Sequence, residues 1–313
     1  MSSYFPYPTP VHDVLAGFDW IVKNILAKRA LFRPGRAAHI GKVAVCGELI
    51  GGSLATTLAL TECRLGEPGI SAAAVNNTLS DWVSLEQQLP GSSIGGSQHD
   101  LDLEDVPRSA SAELTSLRNR LFTKPDRYFD PFASPILFFR TPGAEVPPAT
   151  DSLADDLDHL HLVQLEESQR ERGISSSTTS TQSDTAASVV RKASRRYPNS
   201  ALNLRLPSFR FSSGTIAPFE RQSIELARVT RQSLIRQSRQ GSSGSSFGRK
   251  VLSDEEEDEY ESDDERQARK QQEVDAEEKA QLHRYAGSGL WDTSTQGRER
   301  LDEVGAWLKM KLA

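Results

Sequence analysis

The residues best placed to do chemistry stand around a short glycine-framed turn, Gly47-Glu48-Leu49-Ile50-Gly51, followed at once by Gly52 and Ser53. Its spacing is that of G-x-S-x-G, in which a serine on a strained strand-to-helix turn holds its hydroxyl above a sheet as the nucleophile of acyl transfer. Such a serine also needs a base within hydrogen-bond reach, an acid that orients the base, and donors for the oxyanion. Leu49 occupies the serine's place, and a leucine side chain cannot attack a carbonyl. The nearest hydroxyl, on Ser53, lies one helical turn further on, roughly 5 to 6 Å along the helix, with no activating base in its own segment. The frame of the chemistry is present without its reacting atom.

Elements that would position this turn can be read on either side. His39 to Cys46 (HIGKVAVC) is a nearly continuous apolar run, the pattern of a buried parallel strand. Gly47 and Gly51 suit a tight backbone, Gly52 suits a close helix-to-strand approach, and Ser53 to Cys63 reads as a helix that stops near Gly66. Ile70 to Leu79 (ISAAAVNNTL) reads as a second buried strand, so the two make a βαβ unit with a right-handed crossover. Upstream, Val11 to Phe32 carries Val14, Leu15, Phe18, Ile21, Val22, Ile25 and Leu26 at helical spacing, with Pro34-Gly35 as the break. Residues 90 to 112 read as loop or lid, Leu114, Leu117 and Leu121 as a short helix, and Lys124 to Phe139 as a proline-punctuated turn into an apolar segment. Gln281 to Tyr285 reads as a strand and Thr295 to Leu312 as a last helix with an apolar stripe through Leu301, Val304, Trp307, Leu308 and Met310.

Taken together, DVLAGFDWI, the GELIGG turn with its helix, and DPFASPILF resemble the α/β-hydrolase fold-3 family, the esterases similar to hormone-sensitive lipase. In that family the elbow reads G-D/E-S-A-G-G, which Gly47, Glu48, Gly51 and Gly52 match, and a D-P-x-x-S-P segment follows the cap-helix region. The resemblance covers residues 6 to 140, 195 to 235 and 280 to 312. It implies a partial α/β-hydrolase fold, a mostly parallel sheet flanked by helices, and a class of activity, hydrolysis of carboxylic esters or lipids. It implies neither a cofactor nor a metal. An apolar or ester ligand in a vestigial pocket is the partner class it leaves open.

The departures from the family speak against that activity. No HGG occurs, so the family's usual oxyanion loop is missing. The stretch before Gly47 is too short for the fold's opening strands, which leaves a truncated product, a half supplied otherwise, or a small sheet. Aligned on Leu206-Pro207 and on a helix over Gln222 to Arg231, the family's D-P-L turn becomes Ala217-Pro218-Phe219, so the catalytic acid's position holds Ala217. Glu220 is the nearest acid, at the start of that helix, where it complements the helix dipole. The family's G-x-x-H-G-F falls on YAGSGLWDTS, which puts Gly289 or Leu290 at the histidine's position; His283 lies earlier, within the strand. Substitutions at Leu49, Ala217 and Leu290 remove every member of a unit whose loss, even singly, abolishes most of its contribution. The expectation is a hydrolase-like protein that binds or interacts without catalysis, with ester hydrolysis as the alternative.

Composition frames the rest. Of 313 residues, 37% are hydrophobic and 26% charged, and the mean hydropathy is −0.49, so the foldable part is smaller than the chain. Five stretches follow: 6–140, the first part of the domain with the elbow; 142–190, a low-complexity insertion expected to be disordered; 195–236, the second part with the former acid strand and helix; 237–280, a Gly/Ser and acidic linker, disordered or partly helical; and 281–313, the final strand and helix. The formal charge of −6 hides ten acidic residues within Asp254 to Glu265 and thirteen Lys or Arg between Arg191 and Lys250. The basic residues lie along a helical pattern without aromatic interleaving, which favours a solvated face over nucleic-acid binding. His159 and His161 beside Asp155, Asp156 and Asp158 have spacing better suited to a solvated helix than to a metal. Ser253 and Ser262, set among acids, are candidate phosphorylation sites. Cys46 and Cys63 are too few for a disulfide framework and lack metal-ligand spacing; with no basic-then-apolar leader and no apolar run of about 20 residues, the expectation is a cytoplasmic protein without a membrane span.

Overall fold

The computed structural model describes residues 6–26, 41–85, 108–143, 193–242 and 263–313. The insertion from 144 to 190, both histidines of the 159–161 pair, Ser253 and Ser262 lie outside them. The described residues build an α/β fold around a four-stranded sheet in the order β1 (Lys42–Glu48), β2 (Gly69–Asn76), β3 (Ser208–Gly214), β4 (Ala280–Tyr285), with each neighbouring pair parallel. This is the expected class, a parallel sheet flanked by helices.

The inner strands explain why the sheet closes where it does. β2 consists largely of small residues, and Ala72, Ala73 and Ala74 are fully buried, which lets helices approach both faces. Ala73 and Val75 face α1 (Thr9–Ile21), α2 (Ile50–Thr61) and α4 (Glu220–Ser242), in one core with Phe18, Leu60 and Leu226. On the opposite face Ala72 and Ala74 meet Val304 and Trp307 of α6 (Thr295–Leu312). Ile70 shares the first face with Val75 despite the odd spacing, because the pairing slips between Val43 and Ala44 and leaves Ser71 as an extra residue on β2. On β3, Phe209 and Phe211 alternate with Arg210 and stack with centroids 5.2 Å apart. Arg210 points to the other face, where it bonds Glu303 of α6 at 2.9 Å and the Tyr285 hydroxyl at 3.1 Å.

A second apolar cluster gathers Tyr7, Leu79, Trp82, Phe122 and Phe219 around the DPFASP segment. Asp130 turns that segment by accepting the amide of Phe132 at 2.9 Å and the Tyr7 hydroxyl at 2.5 Å. Ser134 closes it, donating to the Tyr128 carbonyl and accepting the Trp82 amide at 3.1 Å. DPFASP is thus a knot that fastens the N-terminal segment to the loop after β2. Burial and the neighbouring Asp130 carboxylate push the Tyr7 phenol up from its ordinary value.

Several element boundaries differ from the sequence expectation. β2 ends at Asn76 instead of running to Leu79, because Asn77 adopts a positive φ of 44° and turns the chain off the sheet. Helix α3 (Arg108–Leu121) starts inside the stretch read as loop. Helix α4 runs past Arg231 to Ser242, since Leu234 continues its buried stripe, and α5 (Asp263–Lys279) returns antiparallel to it. The pair is joined by Arg231 on the Ala280 carbonyl at 2.8 Å and by Arg239 near Gln272. Cys46, expected in a buried strand, is exposed, because β1 is the edge strand. Cys63 is buried, and its thiol is pushed up to about 12 by desolvation.

Candidate functional site

In a parallel sheet the turns after the strands share one rim, and that rim is where ligands bind in open α/β folds. Leu49 follows β1, Ala217 follows β3 and Leu290 follows β4, so the three family-aligned positions lie at one end of the sheet, where Asn77 also follows β2. The decisive backbone feature is at Leu49, which has φ 54° and ψ −118°. That conformation is strained for any residue with a Cβ and persists only where its surroundings enforce it. Here they do: the Leu49 amide bonds the Asn76 carbonyl at 3.0 Å, and its own carbonyl accepts the Ser53 amide at 3.2 Å and the Leu79 amide at 3.4 Å. A Cβ on Gly47 would collide with the Gly51 carbonyl, and one on Gly52 would lie 2.8 Å from the Thr78 hydroxyl. Gly51 differs from expectation, because a Cβ there would meet nothing within 4 Å; neither a close approach nor a positive φ demands a glycine at that position.

The rim is tied together by amide and carboxylate side chains. Glu48 accepts the Asn76 amide group at 2.6 Å and the backbone amide of Trp291 at 2.8 Å. The same Asn76 nitrogen donates to the Gly289 carbonyl at 2.8 Å, while Asn77 donates to Ser288 at 3.0 Å and accepts the Gly214 amide at 3.1 Å. The segment after β4 therefore crosses back over β3 and β2 until Trp291 reaches the end of β1. Its crossing point is glycine on both sides: Gly289 has φ 66°, and a Cβ on it would lie 2.5 Å from the Gly214 nitrogen. Of the two positions aligned with the family histidine, Gly289 has no room for a side chain, and Leu290 is half-buried with its carbonyl held by Arg300 at 3.0 Å.

The remaining candidates fall into structural bonds. Ala217 is half-buried in the turn after β3, its amide bonded to the Gly214 carbonyl at 3.1 Å. Glu220, the first residue of α4, pairs with Arg284 of β4 at 2.5 Å. His283 sits mid-strand on β4 opposite Ser212, and burial together with Arg210 lowers its pKa while Glu303 opposes. Ser53 is buried, and its hydroxyl is directed at the Leu79 and Leu49 carbonyls. Beside the turn, Ile50, Ser53, Leu54, Tyr7, Trp82 and Phe122 line an apolar cavity of only about 20 Å³, close to the least volume that holds one water. Among the described residues no group of three or more His, Cys, Asp or Glu is placed to hold a metal, and no helix is long and apolar enough to cross a membrane.

Sequence reasoning reached the turn but not the Glu48–Asn76–Trp291 connection. The one available signal was the pair Asn76-Asn77 at the end of an otherwise apolar strand, two amides where a buried run should close.

No family model and no curated protein matches the sequence. Among solved structures, the chain is similar to a hyperthermophilic esterase from the archaeon Pyrobaculum calidifontis, at 14% identity and a TM-score of 0.45, over 98% of this chain and 61% of that one. It is also similar to a thermostable carboxylesterase cloned from a metagenomic library, at 14% identity and a TM-score of 0.46, over 99% and 66% of the two chains. The chain thus spans less than two thirds of the length of either protein.

Proposed function

We propose that this chain keeps the framework of an α/β-hydrolase of the fold-3 kind and acts as a binding or interaction protein without acyl-transfer chemistry. One observation carries the reading: the strained turn that would present a nucleophile presents Leu49, which is 39% exposed. The other positions support it. Ala217 and Leu290 bear no group that could orient or move a proton, and Gly289 leaves no space for one that could. Ser53 spends its hydroxyl on backbone carbonyls and lies below the turn. The cavity beside the turn is too small for an acyl chain. The strained backbone is inherited geometry, held by Gly47, Gly52 and the Asn76 carbonyl whatever side chain stands on it.

The alternative is hydrolysis of carboxylic esters or lipids, and the retained φ and ψ at Leu49 favour it, since that conformation serves nucleophile display. For that reading Ser53 must be released from its carbonyl partners and find a base. The purified full chain is expected to hydrolyse 4-nitrophenyl acetate and butyrate no faster than buffer. Turnover well above buffer that disappears in Ser53→Ala would replace the first reading with the second.

A further inference from the structure

A separate cavity opens at the other end of the sheet, where the strands begin. It encloses about 400 Å³ and is lined by the starts of β1, β2 and β3 with the ends of α5 and α6, a size within the range of small-ligand sites. Its charge is one-sided: Lys42, Arg64, Arg205, Lys279 and Lys311 line it against Glu67. Lys311 lies 3.9 Å from Glu278, whereas Lys42, Arg64, Arg205 and Lys279 have no acidic partner among the described residues. Arg140 with Asp81, Arg210 with Glu303 and Arg284 with Glu220 are, by contrast, ion-paired. Five cations, one on β1, one at the end of each of α5 and α6 and two on the segments ahead of β2 and β3, converge on this concave surface and repel one another, and a concave wall focuses their field on whatever enters.

From this convergence we infer that the groove at the amino ends of the strands binds a compact polyanion, specifically a small molecule bearing two or more linked phosphates. Arg64 and Arg205 both line the groove; guanidinium forks match phosphate oxygens in bidentate geometry, and the three lysines add charge without directional demand. Arg64 and Leu204 form an isolated antiparallel bridge, the Arg205 amide bonds the Cys63 carbonyl at 2.9 Å, and so the two arginines are carried on one braced pair of segments. A volume of about 400 Å³ matches a small ligand better than an extended acidic peptide. This groove does not depend on the Leu49 rim, so it stands or falls independently of the hydrolase question.

The test uses the full chain and inorganic tripolyphosphate as probe, titrated calorimetrically at low salt and again near physiological ionic strength. Saturable one-to-one binding that weakens as salt rises is expected. Arg64→Gln with Arg205→Gln should weaken it at least about tenfold, the loss of two charge-assisted contacts. Arg298→Gln, at an exposed arginine of α6 away from the groove, should leave it unchanged. Circular dichroism and the unfolding midpoint confirm that the double variant is folded; should it not be, Lys42→Gln with Lys279→Gln gives the same comparison. Absence of saturable binding, or equal affinity in the folded variant, overturns the inference. A synthetic peptide of residues 254–265 that binds the groove more tightly than tripolyphosphate also overturns it, in favour of an acidic peptide.

Discussion

Glu48 holds the backbone amide of Trp291 at 2.8 Å, and in doing so it joins the end of the edge strand β1 to a segment that has crossed over β3 and β2. The glutamate of the elbow frame is therefore a structural acceptor that closes the rim. Glu48→Ala leaves the Trp291 amide and one Asn76 donor unsatisfied in a half-buried place, at a cost of about 2 kcal/mol. Glu48→Gln keeps a carbonyl acceptor and should lose less than half of that. Urea unfolding of both variants, with hydrogen exchange at the Trp291 amide, checks the order.

Strain at Leu49 predicts that removing its Cβ improves the fold. Leu49→Gly removes about 1 to 3 kcal/mol of backbone strain against about 0.5 to 1 kcal/mol of added unfolded-state entropy. A net gain near 1 kcal/mol should appear as a higher unfolding midpoint. Leu49→Val, β-branched at positive φ, should lower it.

The half-buried His283 sets a pH dependence. Its folded pKa is depressed by burial first and by Arg210 second, so the unfolded chain binds the proton more readily. Stability from this group is then complete above the unfolded value, about 6.5, and is lost as pH falls through the lower folded value. His283→Gln should flatten the decline in unfolding midpoint between about pH 7 and about pH 5. Parallel curves for the two proteins would count against this assignment.

The two cysteines should react very differently. Cys46 is exposed on the edge strand, whereas Cys63 is buried, donates to the Leu60 carbonyl and has a thiol pushed up to about 12. A disulfide reagent at neutral pH should modify only Cys46 in the native chain and both thiols after unfolding.

What the sequence revealed, and what it did not, follows from the range of the interactions. ISAAAV announced a buried strand because every residue of it must pack, and Leu301 to Met310 announced a helix because its period is local. The positive φ at Asn77 ended β2 early, an outcome decided by Ser212 and Gly214 on another strand. Cys46 looked buried because an apolar run does not say whether its strand lies at an edge. Lys42, Arg64, Arg205, Lys279 and Lys311 stand far apart in the chain, and charge counted in sequence windows could not assemble them; the parallel sheet brings the start of β1, the segments ahead of β2 and β3 and the ends of α5 and α6 to one side. Leu49 was legible as a substitution, yet its strained backbone was not, since a leucine carries no sequence preference for that conformation.

The central claim, that the elbow displays no nucleophile, is tested most directly by incubating the folded full chain with a fluorophosphonate probe and reading the intact mass. The account predicts no adduct on any serine, including Ser53 and Ser288. A stoichiometric adduct on a serine of the folded chain, absent after denaturation, would contradict it.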